Sequence, residues 1–395
     1  MNLTLLKEHY IKHFGEDLVN IRTSYCPYRI CPLGAHVDHQ LGLVTGFALD
    51  KGISIYYSAT SNGKIDLYSY GFNRGIHLRI DENLEKKDDW GNYIRGALYI
   101  LRKHYAINVG IKGYIHGELP VGGLSSSAAV IISFLKAIAE ANYIELTDKE
   151  LIDFAYFAEV DFVGMSIGRL DQSCEVLSKK EELLYLDTKT SVYETIPLGK
   201  TNVDFKFLII YSGAARKLEN SAYNTRVDEC KSASYFTKAF LNKPYQKYKD
   251  TYLRDVSYND YCLVREKLPE NFRKRADHFY TENERVRKGI EAWKNGDIKT
   301  FGQIVFESGR SSIELYEAGS KPLIALYEIM TKTEGVLGGR FMGGGFNGCC
   351  LAICEESKIE EIKEEIRKEY LARFPEYKES FDLFICESDN GAGSL

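Results

Sequence analysis

Apolar and polar positions along this chain follow two periods in turn, and the change from one to the other marks out the elements. Residues 3–14 repeat apolar side chains at helical spacing and predict a short amphipathic helix. Residues 21–31 read as a strand, and residues 43–58 as strand-rich, with Gly42, Gly46 and Gly52 as punctuation. A charged loop over 81–89 precedes a helical pattern over 90–105. Residues 111–115 form an apolar strand, and Val130–Ala139 is an apolar run that predicts a buried helix. Residues 147–164 predict another helix, opened by Thr147 and Glu150 at the spacing of a capping box. A strand over 183–187 leads to Ile196-Pro197-Leu198-Gly199, which reads as a joint between domains covering 1–195 and 196–395. Beyond it come a strand over 203–212 and mostly helical spacing over 220–320. Glycine then alternates with apolar strand residues over 334–354, before a charged helix over 355–374 and a last strand over 383–386. Helix runs set between strand runs predict an α+β fold.

Composition narrows the function. A chain of 395 residues has length for two domains with ample core. A net charge of −5 gives no basic footprint for nucleic acid or an anionic membrane. The longest apolar run is the Val130–Ala139 helix, which Lys136 interrupts and which is too short to span a bilayer. Met1-Asn2-Leu3-Thr4 carries no signal pattern, and nine cysteines without paired close spacing argue against a disulfide framework. Cys349-Cys350 read as core. The expectation is a reducing cytoplasm.

Four stretches carry chemistry. Pro120-Val121-Gly122-Gly123-Leu124-Ser125-Ser126-Ser127-Ala128-Ala129 lies between a strand and a helix. Glycines permit close backbone approach, serines bring hydroxyls, and a helix N-terminus brings N–H groups, so this is an anion site suited to phosphate or else a flexible, capped linker. It lacks the Gly-Lys-Ser/Thr ending of a Walker loop. Arg29-Ile30-Cys31-Pro32-Leu33-Gly34-Ala35-His36-Val37-Asp38-His39 bunches polar residues at the end of a strand, as a small-molecule site, a local turn or a metal site would. The spacing of His36, Asp38 and His39 is not that of a zinc motif. Glu159, on a helix, is a candidate Mg²⁺ ligand, and Asp171 a candidate to orient or deprotonate a hydroxyl; either is equally a solvated or capping acid. Gly338–Gly348 holds six glycines in eleven residues and fits close approach to phosphate or a bulged hairpin.

In chain order, Arg29–His39, Gly123–Ala129 and Gly343-Gly344-Gly345-Phe346 resemble the GHMP small-molecule kinases, and within them the galactokinase branch. Gly34-x-His36-x-Asp38, Leu170-Asp171-Gln172, Tyr223-Asn224-x-Arg226 and Asp389-Asn390-Gly391-Ala392 are the features similar to that branch. The resemblance spans nearly the whole chain. It implies an N-terminal α/β domain, a C-terminal ferredoxin-like domain and an active site between them, with phosphoryl transfer from ATP to the anomeric hydroxyl of a sugar. It gives Asp171 the catalytic role and Arg29 the role of holding it ionised. It assigns Mg²⁺ to Ser127 and Glu159, and sugar contacts to His36, Asp38 and Tyr223. Gly122, Gly123, Ser125, Ser126, Ser127 and Ala128 would cradle the nucleotide with Gly344 and Gly345, and Trp90 would lie near the adenine. The serine loop is one residue shorter than the branch's usual version.

One departure bears on the sugar. Galactokinases usually read Gly-Glu-His-x-Asp, with the Glu accepting from the sugar's 6-hydroxyl, and here the position is Ala35. Two like charges about 4 Å apart repel by about 4 kcal/mol at an effective dielectric of 20, so losing the Glu suits a C6 carboxylate. Cys26–Gln40, Ala276–Trp293 and Ser308–Tyr316 are also similar to galacturonokinases. The expectation is a galacturonate 1-kinase, with Arg169, two residues before Asp171, as a candidate cation for the carboxylate. Three other readings stay open: a galactokinase, a non-catalytic sugar sensor, whose mark would be damage to the serine loop or Asp171 where both are intact here, and a metal-dependent hydrolase using His36, Asp38 and His39.

Overall fold

Strand β1 (Arg22–Ile30) pairs antiparallel with β2 (Leu43–Thr60), an 18-residue strand that is the spine of an eight-stranded sheet. The computed structural model describes residues 3–15, 20–214, 220–244 and 246–393; Met1 and Asn2 lie outside them. Strands β3 (Lys64–Ser69) and β4 (Ile76–Arg79) pair with each other, and β5 (Gly110–Gly117) fits between β3 and β2. Strands β6 (Glu182–Asp187) and β7 (Val192–Pro197) extend the sheet along the first residues of β2. Helix α1 (Leu3–Phe14) packs Leu6 and Tyr10 against Tyr114 and Tyr56. Their sequence neighbours Ile55, Tyr57 and Ile115 belong to the main core on the other face, as strand alternation requires. Helices α2 (Asn92–His104), α3 (Ser126–Ala141), α4 (Asp148–Phe157) and α5 (Leu170–Leu177) belong to this same half.

Strand β2 corrects one expectation. It runs unbroken through Gly46 and Gly52. A Cβ on Gly46 would lie 2.4 Å from Cys174 Sγ, and one on Gly52 would lie 2.3 Å from Cys26 O. These glycines mark close packing against neighbours rather than chain reversal. The helix expected over 147–164 is α4 followed by a π-helical turn, Ala158–Val163, that ends at Gly164 with φ +84°. Its capping box is present: Thr147 Oγ1 accepts from Glu150 N at 3.2 Å, and Glu150 Oε2 accepts from Thr147 N at 2.9 Å. The π turn is the local irregularity that carries Glu159.

The second half is built on a four-stranded antiparallel sheet of β8 (Phe205–Tyr211), β9 (Val336–Phe341), β10 (Cys349–Glu355) and β11 (Asp382–Cys386), in the order β11-β8-β10-β9. Around it lie α6 (Asn220–Phe240), α7 (Tyr258–Val264), α8 (Glu270–Lys294), α9 (Ile298–Glu314), α10 (Lys321–Met330) and α11 (Ile359–Arg373). Cys349 and Cys350 are fully buried in β10, in the core as expected. The expected boundary at 195/196 falls within β7. There Trp293 of α8 packs on Phe47 of β2 at 5.2 Å and donates its indole N–H to Ile196 O at 2.9 Å. One apolar cluster holds Phe47, Phe207, Trp293 and Leu351, so the two sheets share a core. Truncating Trp293 to Ala is worth about 3–5 kcal/mol.

The last described residues return to the first half. Strand β12 (Ser388–Asp389) pairs with Leu49 and Ala48 of β2. The N–H groups of Gly391, Ala392 and Gly393 then bond Ser178 O (2.8 Å), Glu175 O (2.7 Å) and Val176 O (3.1 Å). Terminal helix carbonyls lack intrahelical partners, so this strap caps α5, the helix that carries Asp171.

Candidate active site

The site forms where the end of β1, the start of α3, the start of α5 and the β9–β10 loop converge on one cleft. Its lining includes Arg29, Ala35, His36, Asp38, Gly123, Ser125, Ser126, Ser127, Glu159, Asp171, Tyr223 and Gly344, all expected from the sequence. It also includes Arg340, Met342, Phe346 and Asn347, which sequence reasoning missed as individual residues. Arg340 had a signal: it is a lone charge in a glycine-rich apolar strand, and a buried charge needs partners.

Arg29 sits at the buried end of β1. Its Nε and Nη2 both donate to Asp171 Oδ1 at 2.8 Å, and its Nη1 donates to Gly123 O at 2.8 Å. One guanidinium therefore ties the acid of α5 to the serine loop. Asp171 lies in the first turn of α5, where the helix dipole favours an anion, and its side chain is 26% exposed, towards the cleft. The Arg29 guanidinium is held charged more firmly than usual: burial opposes this, but the Asp171 carboxylate outweighs it.

The serine loop enters α3 through Ser125, which has φ +62° and leaves the helix start without a side-chain cap. The first intrahelical bond shown there is Ala129 N to Ser125 O at 3.1 Å, so the N–H groups before it are available to an anion. A Cβ on Gly123 would lie 3.1 Å from Met342 O and one on Gly343 would lie 2.9 Å from Gly123 Cα. The two glycine-rich stretches thus pack backbone on backbone across the cleft. The second is also a true hairpin loop, with Phe341 paired to Cys350. Gly122, Ala128 and Gly345 support this wall without lining the cleft: Gly122 abuts Gly348, Ala128 is fully buried, and Gly345 O accepts from Ser320 N at 2.8 Å.

Ser127 and Glu159 face the same cleft, and Gln172 Nε2 donates to Glu159 Oε2 at 2.5 Å. One hydroxyl and one carboxylate fit Mg²⁺, which takes few protein oxygens and completes its shell with water and phosphate. Asp38 opens a short 3₁₀ turn, and a Cβ on Gly168 would lie 2.5 Å from its Cγ. Burial, then the charge of Asp171, raises the Asp38 carboxyl to about 6. His36 stacks on Tyr316 with ring centroids 4.4 Å apart, and its buried Nε2 has no partner among the described residues. Burial, with Arg340 nearby, keeps its imidazole neutral.

Three expectations meet a different arrangement. Arg169 lies outside the cleft lining: it is ion-paired with Asp153 and sits 4.4 Å over the Tyr156 ring, so it is committed elsewhere. Trp90 donates its indole N–H to Arg74 O at 3.1 Å, packs on Phe72 and does not line the cleft. His39 does not converge with His36 and Asp38 as a metal ligand: its Nε2 bonds Tyr316 Oη and its Nδ1 bonds Gln40, each at 3.0 Å.

The model of the GHMP kinases N-terminal domain matches residues 92–179, and that of the GHMP kinases C-terminal region matches residues 288–372. A galacturonokinase of Arabidopsis thaliana is 36% identical over 418 residues, covering 100% of this chain and 98% of the relative. This chain belongs to the GHMP kinase family. It is a kinase of the galactokinase and galacturonokinase type. A galactokinase of Thermotoga neapolitana is 33% identical over 350 residues, covering 88% of this chain and 93% of its own. Among solved structures, the galactokinase of Lactococcus lactis complexed with galactose matches with a TM-score of 0.89 at 26% identity, covering 99% of each chain. The mevalonate kinase of Methanococcus jannaschii shares the fold at a TM-score of 0.64 and 17% identity, covering 94% of this chain and 98% of its own. No described helix of this GHMP kinase is long and apolar enough to cross a membrane.

Proposed function

We propose that this kinase transfers the terminal phosphoryl of ATP to the anomeric hydroxyl of D-galacturonate, giving galacturonate 1-phosphate and ADP. Ala35 carries the choice of sugar. It lines the cleft beside His36, at the position where the galactokinase pattern has a Glu. A methyl group leaves room for a C6 carboxylate and adds no like charge beside it. The full-length similarity to a galacturonokinase supports this reading.

The α3 N-terminus and the Gly123 and Gly344 backbone would hold the phosphates. Ser127 and Glu159 would hold Mg²⁺, which when bound supplies positive charge against the phosphate oxygens. Asp171 orients the sugar hydroxyl and accepts its proton as the phosphoryl moves. Arg29 holds that carboxylate in place through its two donors and offers positive charge to the transferring group. Asp38 and Tyr223 receive the sugar hydroxyls. The intact Arg29–Asp171 pair favours catalysis over passive sugar sensing.

Galactose is the second reading, favoured by the structural match to a galactokinase complexed with that sugar. Side-by-side assays of ATP-dependent phosphorylation decide between them. The expected result is a higher kcat/KM for galacturonate; a value for galactose at or above it overturns the uronate reading. Sugar binding with no phosphorylated product for either sugar would leave a sensor.

A further inference from the structure

We infer that Arg340 is the specificity-determining cation that receives the substrate's C6 carboxylate. This rests on the galacturonate reading and supplies the positive charge that Ala35 alone does not.

Arg340 is fully buried in β9, yet it lines the cleft with Ala35, His36 and Phe341. Its orientation is fixed. Nη2 donates to Ser312 Oγ at 3.0 Å, Nη1 donates to Ser308 Oγ, and Nε donates to Phe341 O at 3.2 Å. Ser308 and Ser312 stand one turn apart on α9, so one helix face grips both arms of the guanidinium. Three of its five N–H groups are accounted for by these bonds.

The charge around it does not balance internally. Among the described residues the carboxylate within ion-pair reach is Glu282, whose Oε1 lies 3.8 Å from Nη1. That oxygen already accepts from Gly34 N at 2.8 Å and from Ser308 Oγ at 2.5 Å, and Oε2 is paired with Arg285 Nε at 2.7 Å. Two guanidiniums thus share one carboxylate: Arg285, with 14% of its side chain exposed, makes the direct contact, and the buried Arg340 is left without a carboxylate at hydrogen-bond distance. The neighbouring imidazoles do not change the count: burial holds His36 well below its usual range and His278 at about 4, so both are neutral near pH 7. A buried surplus charge is costly unless a ligand completes it, and a carboxylate is the planar acceptor that matches a guanidinium. The unpartnered Nε2 of His36 is a second polar atom in the same wall waiting for a ligand. A Glu at position 35 would bring a protein carboxylate to that wall; with Ala35 the counterion has to arrive on the substrate.

The test is the ratio of kcat/KM for galacturonate to that for galactose in wild type, Arg340→Gln, Arg340→Lys and Ser312→Ala, each checked for cooperative thermal unfolding. Arg340→Gln is expected to lower galacturonate turnover by about 100-fold or more, with a far smaller change for galactose. Ser312→Ala keeps the charge but loosens it, and is expected to lower the ratio several-fold. A ratio unchanged in every folded variant, with both sugars falling together, overturns the assignment and leaves Arg340 a structural residue. Should Arg340→Gln not fold, Arg340→Lys and Ser312→Ala decide in the same way. A wild type that prefers galactose instead defeats the underlying galacturonate reading. A wild type that prefers galacturonate with an unmoved ratio defeats only the role of Arg340.

Discussion

Two arginine–carboxylate pairs differ in how they are closed: Arg29 and Asp171 both line the cleft, whereas Arg340 lines it with Glu282 buried behind. At the phosphoryl end, Arg29 places two nitrogens at 2.8 Å on one oxygen of Asp171, and the acid is 26% exposed to the cleft. At the other end, Arg340 stands 3.8 Å from Glu282, both are essentially unexposed, and the carboxylate belongs as much to Arg285. The first pair is closed before any substrate arrives, which suits the proposed role of Asp171 towards the sugar hydroxyl. The second is unbalanced and fits a substrate that brings its own charge. A buried ion pair is poor evidence of stability in itself; the difference in closure matches the two roles proposed above, catalysis for the first pair and recognition for the second.

Breaking the balanced end has the largest expected effect. Asp171→Asn removes the acceptor while keeping its size, and kcat is expected to fall by about 10²–10⁴-fold. Near-normal turnover, measured as ADP release at saturating sugar, would remove Asp171 from the mechanism.

Removing the shared anion at the other end is a stability experiment. Glu282→Gln leaves Arg285 and Arg340 without a carboxylate and weakens the bond that anchors Gly34 of the sugar loop. Breaking one partner of a buried pair costs about 3–5 kcal/mol, so denaturant unfolding should show a loss of that order. Burial opposes ionisation, but Arg285, His278 and Arg340 outweigh it and hold the Glu282 carboxyl at about 2. Its stabilising contribution is present above the ordinary carboxylate range and is lost as pH falls through about 2. The deficit of the variant relative to wild type should therefore be full at pH 7 and shrink in strong acid.

Supplying a carboxylate from the protein sharpens the comparison. Ala35→Glu is expected to suppress galacturonate turnover by more than tenfold relative to galactose, since about 4 kcal/mol of like-charge repulsion is available at an effective dielectric of 20. Equal effects on both sugars would mean that the side chain does not face C6.

Asp38 gives the smallest effect and the most specific pH signature. Its carboxyl is raised to about 6 by burial and by Asp171. The folded state therefore holds this proton more tightly than the unfolded chain, whose Asp titrates near about 3.9. As pH falls from about 6 towards 4 this group adds stability; as pH rises through about 6 that contribution is lost. Asp38→Asn should raise Tm slightly at pH 8 and less at pH 5, while impairing sugar use at both. In wild type, sugar kcat/KM should decline as pH drops through about 6, because the protonated acid loses an acceptor for sugar hydroxyls. A profile flat down to pH 5 would assign the sugar hydroxyls to other groups.

Motifs were the legible part of this chain, because phosphate and hydroxyl chemistry needs particular residue types at fixed local spacing. Arg29, Asp38, Ser127, Glu159 and Asp171 lie in such motifs, their individual roles follow from the family resemblance the motifs carry, and the cleft brings them together. Pairings that depend on long-range packing could not be read. Arg169 stands out in sequence as a cation near Asp171, and Arg340 as a lone charge in an apolar strand, but neither pattern says what the side chain faces. Only the fold shows that Asp153 and Tyr156 occupy the first while the second borders Ala35. Gly46 and Gly52 failed for the same reason, since the neighbours that exclude a Cβ come from α5 and β1. The return of Gly391–Gly393 onto α5 carries no periodic signal at all.

The most direct test of the account is a single competition. Wild-type protein, ATP and Mg²⁺ are incubated with equal concentrations of galacturonate and galactose, and the two sugar 1-phosphates are quantified at low conversion, where their ratio equals the ratio of kcat/KM. The account predicts that galacturonate 1-phosphate dominates. Galactose 1-phosphate in equal or greater amount would contradict it.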